Sequence, residues 1–477
     1  MRRTKIVCTL GPATQTEDTL REMIRSGMDV ARLNLSHGDW PTHASNIALV
    51  RRLAEEEGRV IAILQDLMGP RIRVGNVKGG EAVLPAGASI TLTSRPIQGD
   101  SRQVSVVGAD LSGDVRPGDR ILVEEGLIEL RVDRVSNQDV LCEVLNGGML
   151  RAHKGINVPG VTLSIPTITD KDRADLVFGI QHGVDFLGLS FVRSPDDVLE
   201  ARRAVESAGA DIPLIAKIEK HEAVDGFDEI LKVADGVMVA RGDLGVEINL
   251  QEVPVVQKAI IKKCNAAGKP VITATQMLNS MIDNPRPTRA EVSDVANAIF
   301  DGSDAIMLSG ETAVGRYPLR AVQTMAGIAV EAEKALPYGE IAERVARTSA
   351  RTTTDAISAA TVTIAYELGA KAIVTMTVSG HTARVVAKHR PGTPIIAATP
   401  KETTRRRLAL TWGVQAPMLR EYRTTDEMIE RAVGAAVAAG VAGDGDKIII
   451  TAGIPMGISG RTNFLQVHTV GEPLGSS

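Results

Sequence analysis

Residues 212–243, with the sequence IPLIAKIEKHEAVDGFDEILKVADGVMVARGD, contain two short apolar runs on either side of a longer segment of helix-forming residues. The first run covers Ile212–Glu219 and the second covers Asp235–Ala240. Short β-branched runs that alternate with amphipathic segments are typical of parallel strands joined by crossover helices. The stretch therefore predicts a strand–helix–strand unit of an α/β fold.

The same alternation extends in both directions along the chain. Eight apolar runs have this character: Thr4–Thr9, Asp29–Leu35, Arg59–Asp66, Val184–Phe191, Ile212–Glu219, Asp235–Ala240, Pro270–Thr275 and Asp304–Ser309. Eight parallel strands can close into a ring that has no exposed sheet edge. The repeat therefore predicts a (β/α)8 barrel, or TIM barrel.

Two parts of the chain depart from this alternation. The third and fourth runs are about a hundred residues apart, far more than a simple crossover needs, and this insert is rich in Val, Gly and turn residues. It predicts a small all-β lid domain. After the eighth run, further apolar runs alternate with helices and predict an open α/β domain. The predicted domains are the catalytic barrel (1–69 and 165–339), the inserted lid (70–164) and a C-terminal effector and oligomerisation domain (340–477).

The composition restricts the kind of protein. The 477 residues are 44% hydrophobic and 23% charged, with a net charge of −4, which gives no reason to expect nucleic acid or a membrane as a partner. Cys8, Cys142 and Cys264 lie far apart, so we expect no disulfide framework and a reducing, cytoplasmic setting. No apolar stretch is long enough to span a bilayer, and the start of the chain does not resemble a signal peptide.

Nearly every barrel run stops in a polar or ionisable side chain, at the end where barrel enzymes carry their active sites. Capping and solvation would explain one or two such residues, but not the KIE and RGD sequences on consecutive strands. The residues at these ends are Thr9, Asn34, Ser36, Asp66, Ser190, Lys217, Glu219, Arg241, Asp243, Thr275, Ser309 and Glu311.

The residue types indicate the chemistry. Lys217 and Glu219 are two apart in a strand and face the same side. Glu219 and Asp243, on adjacent strands, can converge on one hard divalent cation, Mg²⁺ or Mn²⁺. Lys217 and Arg32 add fixed positive charge, as transfer of a phosphoryl group requires. The chain has neither a GxGxxG turn after a strand nor a P-loop, so a nucleotide needs another kind of site.

Several segments resemble the signature segments of pyruvate kinases, in family order and spacing. They are TKIVCTLGPAT, ARLNLSHG, AKIEKHE, VMVARGDLGVE, GKPVITATQML and PRPTRAEVSDVANAIFDGSDAIMLSGETAVGRYP. The resemblance covers the barrel, the lid and the C-terminal domain. It implies Mg²⁺-dependent phosphoryl transfer from phosphoenolpyruvate to ADP, giving pyruvate and ATP in the final step of glycolysis, by a homotetramer.

The resemblance also implies roles for single residues. Glu219 and Asp243 would hold the metal, and Lys217 would stabilise the transferred phosphoryl group and the enolate. Arg32 would bind the phosphate of phosphoenolpyruvate, while Thr275 and the backbone of Gly242–Asp243 would bind its carboxylate. The residues facing the nucleotide phosphates would be Asn34, Arg73 and, from the lid, Lys154, which lid closure would bring into place.

One segment departs from many members of the family, which hold K⁺ at positions matching Asn34, Ser36, Asp66 and a hydroxyl on the next residue. That next residue is Leu67, Met68 replaces a lysine, and Arg71 replaces a glutamate. The change adds about one unit of positive charge near the ion position. We therefore predict that K⁺ is not required. The alternative is that Arg71 only pairs with a carboxylate of the lid.

In the C-terminal domain, TVSGHTARVVAKHR opens a helix after an apolar run. By resemblance, a sugar-phosphate or nucleotide effector would bind there, completed by the loop Gly453–Asn463. The alternative is a helix capped by its own hydroxyl groups. The predicted effector residues are Ser379, Gly380, Thr382 and Arg384.

Two other functions compete with this interpretation. A metal-dependent aldolase-like barrel acting on pyruvate or phosphoenolpyruvate would also use two carboxylates, but it would not need the lid with Lys154 or Arg73. A catalytically silent binder would have lost Lys217, Glu219 or Thr275, and all three are present.

Overall fold

The computed structural model describes residues 2–347, 352–455 and 460–473. The chain forms two compact units. One comprises Met1–Gln65, His182–Phe186 and Ile261–Ser477, and the other comprises Asp66–Gln181 and Leu187–Ile260.

Eight parallel strands form a closed barrel. Barrel strands that follow one another along the chain are neighbours in the ring, and the first strand pairs with the last. Their bounds are Lys5–Thr9, Val30–Asn34, Ala62–Asp66, Phe186–Leu189, Leu214–Ile218, Gly236–Ala240, Val271–Ala274 and Ala305–Leu308. Every residue of Leu214–Ile218 is buried, as expected for a parallel strand covered on both faces. The predicted (β/α)8 barrel is confirmed, and its strands are shorter than the apolar runs that predicted them.

The helices follow ordinary capping rules. Trp40–Glu56 starts after Asp39, whose side chain accepts a hydrogen bond from the Thr42 N–H. Arg289–Asp301 starts with a capping box and ends at Gly302, which has φ 104°. The helices in chain order are Glu17–Ser26, Trp40–Glu56, Asp170–Gln181, Pro195–Ser207, His221–Asp225, Phe227–Val233, Arg241–Glu247, Val253–Ala267, Arg289–Asp301, Gly310–Ala313, Pro318–Lys334, Tyr338–Arg347, Thr353–Glu367, His381–Ala387, Glu402–Arg407 and Thr425–Ala438.

The insert after the third barrel strand is all-β, as predicted. A seven-stranded sheet and a two-stranded sheet enclose a core of Val, Leu and Ile side chains with Cys142. The seven strands, in sheet order, are Ile156–Asn157, Arg120–Val123, Ile128–Ser136, Asp139–Asn146, Ser89–Thr93, Gln103–Val107 and Arg73–Val74. The smaller sheet pairs Gly148–Arg151 with Glu81–Leu84.

The C-terminal region forms an open five-stranded sheet with helices packed against it, as predicted. The first four strands in sheet order are parallel, and the last is antiparallel to its neighbour. They are Val414–Gln415, Ile395–Ala398, Ala372–Met376, Lys447–Ala452 and Phe464–Thr469.

Within the first unit, Trp412 joins the C-terminal sheet to the barrel. Its side chain is 2% exposed. Its ring centroid lies 5.9 Å from the Arg3 guanidinium carbon and 5.1 Å from that of Arg390. Arg390 Nη1 lies 3.0 Å from Asp304 Oδ1, just before the last barrel strand. Two cation–π contacts and an ion pair therefore fix this junction.

No helix within the described ranges combines the length and the apolar character that crossing a bilayer requires.

Candidate active site

In the second unit, the Lys217 ammonium is enclosed by acceptors at the end of its strand. Nζ lies 2.9 Å from Glu219 Oε1 and 3.2 Å from Asp66 Oδ1. It also donates a hydrogen bond of 2.7 Å to Ser190 Oγ, and the lysine side chain is only 8% exposed. Two carboxylates around one ammonium leave an excess of negative charge, so this group can accept a further cation.

Glu219 is buried, and its two oxygens have different partners. Oε1 faces Lys217, while Oε2 accepts a hydrogen bond of 2.7 Å from the Phe191 N–H. Burial raises the pKa of Glu219; the Lys217 charge opposes this rise and the Asp243 charge adds to it. A further positive charge nearby, such as a metal ion, would therefore stabilise the ionised form of Glu219.

The backbone of Phe191 is in an unusual conformation, with φ 56°. A positive φ is costly for a residue with a bulky side chain, so it persists only where its surroundings enforce it. Here it follows a barrel strand and directs the N–H at Glu219. Sequence reasoning missed this residue, because its role lies in the backbone and the side chain gives no signal.

Asp243 lies in the helix Arg241–Glu247, which directly follows the strand Gly236–Ala240, and Gly242 precedes it there. In the part of the chain that the structure describes, no group of three or more His, Cys, Asp or Glu side chains could hold a metal. A pair of carboxylates nevertheless fits Mg²⁺, which usually keeps several waters and takes other oxygens from substrate phosphates. The oxygen-only donors of Glu219 and Asp243 therefore fit this metal.

A cavity of about 190 Å³ lies in the second unit, lined by both lid and barrel residues. Its walls combine cationic and anionic side chains, and such side chains can attract a charged ligand. Arg73 and Lys154, the nucleotide residues predicted from the lid, both line it, as does Asp243. The charged lining residues are Arg71, Arg73, Lys154, Arg193, Lys220, Glu124, Glu125, Glu222 and Asp243.

Lys154 forms an ion pair with Glu124. Like Phe191, Glu124 is a residue of this region that the sequence analysis did not predict. The Lys154 Nζ lies 2.7 Å from Glu124 Oε1. The Lys154 ammonium lowers the pKa of Glu124 below its usual value, so this carboxylate stays ionised at neutral pH. Glu124 and Glu125 have φ 54° and 57°, in the left-handed region used by tight hairpin turns.

Arg71 lines the same cavity, and its guanidinium carbon lies 6.0 Å from the ring centroid of Phe191. Arg71 has no ion pair with a lid carboxylate among the residues that the structure describes. The contact instead places a positive charge beside the residue whose N–H binds Glu219. The neighbouring Leu67 is buried at 3% exposure.

In the first unit, Arg32 is buried at the end of the second barrel strand. Its Nη1 donates a hydrogen bond of 2.9 Å to Thr9 Oγ1, and Thr9 in turn donates to the Leu308 carbonyl at 3.0 Å. Asn34 Oδ1 accepts a hydrogen bond of 3.1 Å from the Ser36 N–H. Strand-end residues thus hold one another in place.

Thr275 follows the seventh barrel strand with φ 71°, and Gln276 follows with φ 57°. This conformation is rare for a β-branched residue and indicates enforced strain, which often occurs at active sites. The Thr275 hydroxyl donates a hydrogen bond of 2.6 Å to the Ala274 carbonyl. The backbone therefore holds this side chain in a defined direction.

In the C-terminal domain, the predicted effector residues lie around the start of the helix His381–Ala387. The Gly380 N–H donates to Thr377 Oγ1 at 2.9 Å, and Gly380, the N-cap residue, makes no side-chain capping bond to the helix. Thr382 and Thr462 hydroxyls are 3.0 Å apart, and Arg384 Nη1 donates to the Ser379 carbonyl at 3.3 Å. Residues 456–459 of the loop expected to complete the site lie outside the described residues.

The fold and the charged strand ends together define a class of protein, a barrel enzyme that transfers a phosphoryl group. Two family models match the chain: "Pyruvate kinase, barrel domain" over residues 1–322 and "Pyruvate kinase, alpha/beta domain" over residues 355–468. The chain therefore belongs to the pyruvate kinase family, as its sequence resemblance predicted.

Known proteins that are similar to almost the whole length of this chain support its membership of the family. A pyruvate kinase from Geobacillus stearothermophilus is 52% identical over 476 residues, which cover 99% of this chain and 81% of that relative. One from Clostridium acetobutylicum is 47% identical over 472 residues, covering 98% of this chain and 100% of the relative. A crystal structure of a pyruvate kinase from Cryptosporidium parvum superposes with a TM-score of 0.94 at 37% identity, covering 98% of this chain and 96% of that one.

Family membership sets the activity. The chain is a phosphotransferase that moves a phosphoryl group from phosphoenolpyruvate to ADP and gives pyruvate and ATP, the final step of glycolysis. Enzymes of this family generally need a divalent metal such as Mg²⁺. The prediction of a kinase is confirmed, and the aldolase-like alternative is wrong.

Proposed function

We propose that Glu219 and Asp243 hold the divalent metal, Mg²⁺ or Mn²⁺, for this reaction. The observation that carries the proposal is the buried Lys217 ammonium, which two carboxylates enclose while Asp243 adds its charge nearby. When bound, the metal neutralises charge on substrate oxygens. Two protein ligands leave room for those oxygens.

Lys217 supplies fixed positive charge to the phosphoryl group in transfer and to the enolate that remains. Its ammonium is held by Ser190 and by Asp66, so it needs little reorganisation during the reaction. Charge that is held in place before the reaction, in a site that excludes water, is the main source of catalysis in such transfers.

Arg32 and Thr275, in the first unit, bind phosphoenolpyruvate. Arg32 binds the phosphate, since a guanidinium matches the geometry of phosphate oxygens. Thr275 and the backbone at Gly242 and Asp243 bind the carboxylate, and the Thr275 hydroxyl lies on the path of the proton that converts enolpyruvate to pyruvate. The strained backbone of Thr275 supports this role, because it fixes the direction of the hydroxyl group.

The nucleotide phosphates are bound by Asn34, Arg73 and Lys154. Arg73 Nη1 donates to the His153 carbonyl at 2.9 Å, so it lies on the same lid edge as Lys154. Both residues line the same cavity. Closure of the lid would remove water from the transfer site.

We also propose that the enzyme does not require K⁺. The monovalent-cation region of the family matches Asn34, Ser36 and Asp66, and Arg71 supplies a permanent positive charge in its place. Its guanidinium is held against Phe191 rather than by a lid carboxylate. The test is a steady-state assay in which a tetraalkylammonium salt replaces K⁺. A fall of two orders of magnitude in kcat/KM would refute the proposal.

Effector binding at Ser379, Gly380, Thr382 and Arg384, a homotetrameric assembly and a cytoplasmic location are further parts of the proposal. An effector screen with sugar phosphates and nucleotides at subsaturating phosphoenolpyruvate tests the first. Light scattering after size-exclusion chromatography tests the second, and microscopy of the tagged chain in its own cell tests the third.

The metal roles are tested by E219Q and D243N, which keep side-chain size and remove one carboxylate each. We expect weaker Mn²⁺ binding and a loss in kcat/KM of roughly 10²–10³ in a coupled assay for pyruvate. Glu222 lines the same cavity as Asp243, so E222Q is the matched control. Normal Mn²⁺ binding by both E219Q and D243N would reject these roles.

A further inference from the structure

A buried ion pair lies next to the two proposed metal ligands, and none of the roles above uses it. Lys220 Nζ lies 2.8 Å from Glu247 Oε1, and the two side chains are 10% and 1% exposed. Lys220 directly follows Glu219 in the chain. Glu247 comes one helical turn after Asp243 in the helix Arg241–Glu247. The pair therefore connects the two segments that carry the proposed ligands.

The same carboxylate also contacts the lid. Asn157 Nδ2 donates to Glu247 Oε1 at 3.2 Å. Asn157 ends the short lid strand Ile156–Asn157 and comes three residues after Lys154. Lys220 and Asn157 line the same cavity as Lys154. Glu247 thus contacts both the segment that carries Glu219 and the edge of the lid that carries Lys154, the lysine proposed to bind the nucleotide.

Stability alone is a weak reason for such an arrangement. Burying two charges costs about as much as their attraction returns, and an apolar pair of similar size is often at least as stable. Glu247 Oε2 is moreover buried without a hydrogen-bond partner in the described structure, which adds to the cost. What the pair does provide is a fixed distance and direction between two segments.

We propose that Lys220 and Glu247 are positioning residues. They hold Glu219 and Asp243 at the spacing at which both carboxylates face one divalent cation. Through Asn157, Glu247 also holds the Lys154 segment of the lid in place for the nucleotide. This inference rests on the metal roles proposed for Glu219 and Asp243.

The first experiment measures metal binding directly. Full-length wild type, K220M, E247Q and K220R are titrated with Mn²⁺, and free Mn²⁺ is read by electron paramagnetic resonance. We expect the Kd to rise about tenfold in K220M and E247Q, as for other residues that support metal ligands. K220R keeps the charge and should lie closer to wild type. The control is K232M, since Lys232 pairs with Glu229 at the surface, where the side chains are 66% and 61% exposed.

The second experiment separates the effect of Glu247 on the lid from its effect on metal binding. N157A removes the hydrogen bond from Asn157 to Glu247 and leaves the ion pair between Lys220 and Glu247 in place. We expect the KM for ADP to rise about threefold to tenfold, while the Kd for Mn²⁺ and the KM for phosphoenolpyruvate stay at wild-type values. An unchanged KM for ADP would overturn the lid part of the inference.

Melting temperatures distinguish a positioning role from a merely structural one. A lower Tm with wild-type Mn²⁺ binding in both K220M and E247Q would overturn the inference. If K220M fails to fold, E247Q decides the outcome, because its amide keeps the size and one acceptor oxygen. If E219Q and D243N also bind Mn²⁺ normally, the metal roles have failed, and this result is distinguishable from failure of the positioning pair.

Discussion

The ion pair between Lys154 and Glu124 leads to a prediction about nucleotide affinity. If Lys154 binds a phosphate of ADP, the nucleotide must displace Glu124 from the ammonium, whose Nζ lies 2.7 Å from Oε1. The substitution E124Q removes the negative charge and keeps the shape of the side chain. We therefore expect this variant to bind ADP more tightly than wild type does.

The size of the expected change in the KM for ADP follows from the solvent exposure of the Lys154 and Glu124 side chains. The two side chains are 40% and 18% exposed, so solvent screens the pair. Pairs of this kind contribute about 0.2–1 kcal/mol, so the KM for ADP should fall by a factor of about 1.4 to 5. The effect should shrink as salt is raised from about 0.05 to 0.5 M, because added ions screen an exposed pair.

The assay is initial-rate kinetics at saturating phosphoenolpyruvate and metal, with ADP varied at two salt concentrations. Glu125 lies in the same turn and lines the same cavity, but it has no ion pair with Lys154, so E125Q is the matched control. A KM for ADP that stays the same or rises in E124Q at low salt would refute the reasoning. Equal changes in E124Q and E125Q would assign the effect to general charge instead.

Three further predictions address single residues. R71E should restore a K⁺ requirement, seen as a fall of at least roughly tenfold in kcat/KM when tetramethylammonium replaces K⁺; equal rates in both salts would contradict it. T275V should lower kcat roughly 10²-fold while T275S stays near wild type, and equal losses in both would show that backbone strain, not the hydroxyl, matters. Burial lowers the pKa of His389 to about 4, and the Lys388 charge adds to this effect. The unfolded chain, in which histidine has its ordinary pKa of about 6.5, therefore binds more protons than the folded chain between pH 6.5 and 4. Acidification over this range should cost up to about 3 kcal/mol of unfolding free energy; urea unfolding of H389N should lack this slope.

The sequence predicts the barrel well, because each buried strand appears as a short apolar run. In Leu214–Ile218 all five positions are buried, so burial on both faces leaves a continuous signal. The charged residues after the strands are equally visible, since Lys217 and Glu219 interrupt or follow an otherwise apolar run. The direction of a strand is less visible. The apolar run Phe464–Val470 looks like the other runs of the C-terminal domain, and only its pairing shows that the strand Phe464–Thr469 is antiparallel to its neighbour.

Other parts of the site could not be predicted from a single sequence. The positive φ angles of Phe191 and Thr275 are imposed by the surrounding structure against local preference. The partner of Lys154 lies thirty positions earlier in the chain, and that of Lys220 lies beyond the next strand. Such pairings depend on tertiary packing, which neither composition nor periodicity encodes.

The position of Trp412 between two guanidinium groups has an optical consequence. The other tryptophan, Trp40, is 46% exposed, whereas Trp412 is 2% exposed. Acrylamide should therefore quench the emission of Trp40 and leave that of Trp412 intact. In a W40F variant, the remaining fluorescence becomes an intrinsic reporter of whether the C-terminal sheet stays attached to the barrel, without any added dye.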